Sequence, residues 1–190
     1  MKKVIVLLAN GFEEVEALTP VDYLRRAGVE VTTLAVGTSS RTVEGARKIS
    51  VNADMTLEAY VSACVQLPDA IIVPGGMPGT VNVSKSIQSL SLIDQMFDEG
   101  KLVCAICAAP ALVLSKTKAL AGKKWTCYPG MESDAPDYAA NHISDSTFVT
   151  DGNVVTSRGA GTAEQFSMEI VGILCGEEAR EKLRVQTVQR

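Results

Sequence analysis

The chain has 190 residues, 46% hydrophobic and 21% charged, with a formal net charge of −4. That length fits one α/β domain spanning 1–190, able to bury a core without disulfide staples or a structural metal. The mildly acidic balance gives no support to nucleic-acid binding, which shows a basic stripe, and no stretch approaches the ~18 apolar residues of a membrane span.

The first apolar run, "KVIVLLA" (3–9), reads as a strand buried on both faces. It is too short for a secretory h-region, and acidic residues follow it, so a cytoplasmic protein is expected. "GFEEVEALTPVDYLRRAG" (11–28) places Val15, Leu18, Val21 and Leu24 at helical spacing, with Gly28 as the stop and Pro20 predicting a kink. Residues 29–36 form the next strand, and 41–54 a short hairpin with Gly45 in its turn. "DAIIVPGG" (69–76) is a buried strand ending in a Gly-rich turn, and 86–101 a helix closed by Gly100. "LVCAIC" (102–107) is a strand, and "AAPALVLSKTKALAG" (108–122) a helix with Pro110 in its first turn. Asp151-Gly152 predicts a hairpin within 148–159. A long amphipathic helix over 161–176 and a short helix with a tail complete the chain.

Alternating strands and helices imply a mostly parallel sheet covered on both faces. In such sheets a site lies beyond the carboxyl ends of the strands. "NGFEEVE" (10–16), "VPGGMPG" (73–79) and "AICAAP" (105–110) all map to that edge.

Five cysteines without secretory signals argue against a disulfide framework. Cys107 sits where a strand gives way to a helix. There, unpaired N–H groups and the helix dipole favour a thiolate nucleophile, although free cysteine is just as often a core residue. Cys104 and Cys107 form a C-x-x-C, but Cys104 lies within the strand and faces the other way. Glu13 and Glu16 share a helix face, and one of them could sit against the cysteine; Glu14 points elsewhere. Favourable charge at a helix start accounts for the remaining glutamates. Gly75-Gly76 could turn backbone amides into an oxyanion hole, or could simply end a strand. No phosphate loop or dinucleotide fingerprint occurs, so no cofactor is expected. No metal site is expected either. His142 is the only histidine, it falls in the polar stretch "PDYAANHISDS" and reads as a surface residue, and only Cys104 and Cys107 are closely spaced.

Taken together, "LLANGFEEVEALTPVDYLRRAG", "IIVPGGMPG", "AICAAP" and "TSRGAGTAEQF" resemble the DJ-one/ThiJ/PfpI superfamily, in its DJ-one branch, from the first strand to about Cys175. The resemblance implies a flavodoxin-like three-layer α/β sandwich that forms a homodimer. It implies that Cys107 is the reactive cysteine on a strained nucleophile elbow, with Glu16 as its partner and Gly75, Gly76 and Ala108 on the oxyanion side. It places Arg47 near the site and Arg26 near the dimer seam, both as candidate pocket residues. Two positions in the candidate pocket depart from the family pattern. Tyr128 stands where relatives often carry histidine, and Ala160 where many carry proline. Ala108 also stands where the protease-like branch places histidine, which argues against a Cys-His protease.

By this resemblance the chain would be a cofactor-independent, glyoxalase III-like or deglycase-like enzyme. It would convert small reactive carbonyls such as methylglyoxal to 2-hydroxy acids, or remove early glycation adducts. The alternative is a peroxide-responsive redox sensor or redox-regulated chaperone acting through the same cysteine. An older family label, thiazole-phosphate biosynthesis, finds no phosphate loop here.

Overall fold

A computed structural model describes residues 1–63 and 66–189; Cys64 lies outside them. The chain opens with β1 (Lys3–Ala9), α1 (Glu14–Arg26) and β2 (Glu30–Val36). A small antiparallel hairpin follows, β3 (Thr42–Glu44) with β4 (Ser50–Asn52). Then come β5 (Met55–Thr56), α2 (Leu57–Ser62), β6 (Ala70–Val73), α3 (Gly79–Ser84) and α4 (Ile87–Asp98). The remaining elements are β7 (Leu102–Ile106), α5 (Ala109–Leu112), β8 (Phe148–Asp151), β9 (Val154–Ser157), α6 (Ala163–Cys175) and α7 (Glu177–Gln186).

Seven strands form one sheet in the order β5-β2-β1-β6-β7-β9-β8, parallel except for the β8–β9 hairpin. β1 shows why residues 4–9 include no polar side chain. Val4, Val6 and Leu8 enter one core, while Ile5, Leu7 and Ala9 enter the other. Strand alternation thus feeds two apolar layers from one segment. Phe166, Ile170 and Val171 of α6 join the first core with Ala17, Val21 and Leu24 of α1. Ile93 and Met96 of α4 and the fully buried Trp125 fill the second. This is the three-layer arrangement the sequence implies. No helix among the described residues is long and apolar enough to cross a membrane.

Two helices differ from expectation. α1 runs unbroken through Pro20. The proline forfeits only the bond its own N–H would give to the Glu16 carbonyl, and burial of Ala17, Pro20, Val21 and Leu24 holds the helix against α6. The run 108–122 is not one helix. It breaks into the four residues of α5 and two 3-10 turns, Leu114–Lys116 and Lys118–Leu120. The Ser115 and Thr117 hydroxyls donate to the carbonyls of Ala111 and Leu114, and Thr117 also caps the Ala119 amide. Such local bonds compete with helix propagation. Segments with weaker periodicity, α2 and α3, are short and were not anticipated.

The strand order turns back on itself between β1 and β6: β2 lies on one side of β1, and β6 and β7 on the other. A crevice opens at such a switch point beyond the strand ends. The segments leaving β1, β6 and β7 converge there.

Candidate active site

Cys107 is the first residue beyond β7 and has φ +64. A non-glycine residue rarely holds this left-handed conformation, and it persists only where the surroundings dictate it. Here both backbone groups are pinned. The Cys107 N–H donates to the Ser157 carbonyl (2.9 Å), and its carbonyl accepts from the Tyr128 N–H (2.9 Å). The turn lifts the side chain out of the strand, half-buried, while Cys104 stays fully buried in β7.

Glu16, in the first turn of α1, is 1% exposed. Its carboxyl group hydrogen-bonds the Cys107 thiol, and its Oε2 accepts from the Gly75 N–H at 2.8 Å. A Cβ at Gly75 would lie 2.6 Å from both the Cys107 Cβ and Glu16 Oε2. Only a residue without a side chain lets this pair meet. The Gly75 amide therefore serves the carboxyl group and not an oxyanion, a correction to the Gly75-Gly76 expectation. The Gly76 and Ala108 N–H groups are the ones that donate to the sulfur.

The electrostatics follow from burial and contact. Burial pushes the Glu16 carboxyl up to about 7, despite the opposing hydrogen bonds from Cys107 and Gly75. Burial also pushes the Cys107 thiol up to about 12, with the Glu16 charge acting in the same direction. A lone thiol lowered by a helix dipole was the simpler expectation. The helix beyond the turn has only four residues, and burial outweighs its field. Between about pH 7 and about 12 the pair thus holds one proton and one negative charge. The Gly75 amide favours that charge on oxygen; the Gly76 and Ala108 amides favour it on sulfur.

A pocket of about 350 Å³ opens over the sulfur, lined by Glu13, Glu16, Arg47, Gly76, Met77, Cys107, Ala108, Tyr128, Met131 and Ala160. The Tyr128 ring is half-exposed at its mouth. The exposed Arg47 guanidinium lies 3.8 Å from Glu13 Oε2. Met77 and Met131 carried no chemical signal in the sequence, whereas Glu13 lines the pocket beside Glu16, with which it was singled out. Arg26 does not join the pocket of its own chain. It pairs with Asp22 at 2.7 Å at the far end of α1, ten residues or about 15 Å along the axis from Glu16.

Glu14 was read only as helix-start charge. It is buried, and its Oε1 accepts from the Arg47 N–H (2.7 Å) and the Ile49 N–H (3.4 Å). It thereby fastens the turn between β3 and β4 that presents Arg47. His142 is not simply a surface residue. Half-buried, it packs edge-on against Trp125 with ring centroids 4.9 Å apart, because 141–143 run beside Trp125 through backbone hydrogen bonds.

Residues 2–172 match the profile of the DJ-1/PfpI family. The chain belongs to the DJ-1/PfpI family. Among similar DJ-1/PfpI proteins is dj-1beta of Drosophila melanogaster, 36% identical over 93% of this chain and 91% of its own. Deglycase PH1704 of Pyrococcus horikoshii is 33% identical over 90% of this chain and 99% of its own. The fold matches oxidized Toxoplasma gondii DJ-1 with a TM-score of 0.91 at 32% identity, covering 99% of this chain and 98% of that one. The flavodoxin-like sandwich is thus the architecture of both this chain and its DJ-1/PfpI neighbours.

Proposed function

We propose that the chain is a cysteine-dependent enzyme that converts 2-oxoaldehydes such as methylglyoxal to 2-hydroxy acids, with removal of early glycation adducts as a related activity. The observation that carries this is the Cys107–Glu16 pair: a nucleophile in direct hydrogen bond with a carboxyl group poised near neutral pH, at the base of a small pocket. The similarity to a protein named deglycase supports the substrate class.

The chemistry needs no external hydride. The Cys107 sulfur attacks the aldehyde carbon while its proton passes through Glu16 to the aldehyde oxygen, giving a hemithioacetal. The Gly76 and Ala108 amides are the donors at hand for that oxygen. The Glu16 carboxylate then takes the proton from C1 and returns it at C2, while the hydroxyl proton passes from the first oxygen to the second, leaving a 2-hydroxy thioester. Water cleaves the thioester, releasing the acid and the thiol. Arg47 and Tyr128 border the entrance and would contact the polar end of a substrate. Lactate formation from methylglyoxal by the purified protein, beside a Cys107→Ser control, tests the reading. No lactate from the wild type, or an equal amount from the control, would refute it.

The second reading is redox sensing through Cys107. The similarity to a DJ-1 described as oxidized favours it, as do the three donors around the sulfur: Glu16 when protonated, Gly76 and Ala108. A homodimer built on α1 fits either reading. Val15 on α1 and Ile49 beside it are 48% and 54% exposed, apolar surface that a two-fold contact would cover. A monomer mass in sedimentation at micromolar concentration would contradict the dimer.

A further inference from the structure

We propose that Cys127, Glu132 and His142 form a binding site for a divalent cation of borderline softness, zinc above all, behind one wall of the Cys107 pocket. The thiol sulfur, a carboxylate oxygen and an imidazole nitrogen all lie within 4.8 Å of one another, the one such group among the described residues. The Cys127 Sγ and His142 Nε2 are 3.7 Å apart. Bonds of ~2.3 Å to sulfur and ~2.0–2.1 Å to nitrogen, at the tetrahedral angle, place those two ligands ~3.6 Å apart. That edge of a zinc tetrahedron is already built.

The fold holds the three residues from different directions. The Trp125 N–H donates to the Asn141 carbonyl (3.2 Å) and the Ile143 N–H to the Trp125 carbonyl (2.8 Å), which seats His142 beside Cys127. The Trp125 ring fixes the imidazole edge-on. Glu132 comes from the 3-10 turn Met131–Asp134, and its Oε2 accepts from the Gly130 N–H at 2.8 Å. Ligands oriented by such outer contacts bind metals more tightly.

The donor set selects the ion. Sulfur, nitrogen and one carboxylate suit zinc, whereas magnesium and calcium need shells of oxygen. Three protein ligands leave a fourth position for water. A bound dication holds such a sulfur as the thiolate. Binding exchanges the thiol proton, released to solvent, for a sulfur–zinc bond. The ion would also fasten the stretch that carries Tyr128 and Met131 into the pocket.

The test must separate this site from the Cys107–Glu16 pair, so it uses the reduced full chain carrying Cys107→Ser. Zinc is titrated against a chromophoric chelator, and cobalt(II) replaces zinc for spectroscopy. The expected result is one zinc per chain, a thiolate-to-cobalt charge-transfer band, and affinity reduced ~10²-fold or more when His142→Ala is added. His142 is the only histidine, so an imidazole ligand reports on this site alone. Adding Cys127→Ser should abolish the cobalt band. Should that buried substitution prevent folding, the half-buried His142→Ala carries the test. Zinc held equally with and without His142, or bound only when Cys107 is intact, would overturn the proposal and leave a plain thiol–imidazole contact.

Discussion

The Glu16 carboxyl group and the Cys107 thiol hydrogen-bond each other across the bare α-carbon of Gly75. They come from the first turn of α1 and the turn after β7, and the crevice at the sheet's switch point is what brings them together. Sharing one proton between them has consequences that can be measured.

Alkylation of Cys107 by iodoacetamide should rise through about pH 7, where Glu16 ionises and becomes an internal base. A free cysteine would show its midpoint near ~8.5. In Glu16→Gln the base is lost and the midpoint should move up to that value or beyond, since burial of the thiol remains. Cys104 and Cys127, both buried, should label far more slowly. Equal labelling of Cys104 and Cys107 would contradict the assignment.

Stability should record the buried carboxyl. Below about pH 4.5 the folded and unfolded chains both hold the Glu16 proton; between there and about pH 7 only the folded chain does. Stability therefore falls as pH rises across that window, by on the order of 3 kcal/mol, and stays lower above it. Glu16→Gln carries no such proton. Its denaturation midpoint, measured against the wild type, should gain between pH 4.5 and 7.5; a constant difference would show that Glu16 is not raised.

Gly75→Ala should damage the site from behind. Its new methyl would meet the Cys107 Cβ and Glu16 Oε2 at 2.6 Å, and overpacking of this kind costs about 1–3 kcal/mol. Turnover should fall with it. Gly161→Ala, where nothing lies within 4 Å of the added carbon, should leave stability within about 0.5 kcal/mol. Equal effects from the two variants would show that Gly75 plays no special part.

Mild peroxide should add two oxygens to Cys107 and stop there, because Glu16 and the Gly76 and Ala108 amides can donate to a sulfinate. Glu16→Leu removes one donor and should let oxidation halt earlier or continue to the sulfonate. Peptide mass spectrometry reads both results; a Cys104–Cys107 crosslink, or the same pattern in the variant, would count against this geometry.

The sheet was legible in the sequence because burial on both faces writes itself as uninterrupted apolar runs such as 3–9, and because Asp151-Gly152 encodes its own turn. Cys107 was legible by its place at a strand end. The fate of 108–122 was not, since its composition favours a helix while the Ser115 and Thr117 hydroxyls divert the backbone. Glu14 was missed for a different reason. Acidic residues at a helix start are explained locally, whereas its burial depends on a hairpin that folds back from residues 42–52. Cys127, Glu132 and His142 have no metal-ligand spacing in the chain, and only the rung beside Trp125 brings them together. The rise of the Cys107 thiol is also non-local: burial drives it first, and the Glu16 charge, 91 residues earlier in the chain, adds to it.

The most direct measurement is turnover of methylglyoxal by Glu16→Gln beside the wild type, with Cys107 alkylation as the check that the site is intact. The amide can hold a hydrogen bond but cannot carry a proton from one carbon to the next. Lactate production should fall ~10²-fold or more while Cys107 can still be alkylated. Undiminished turnover in Glu16→Gln would contradict the account, because the proton would then travel by a route that does not include Glu16.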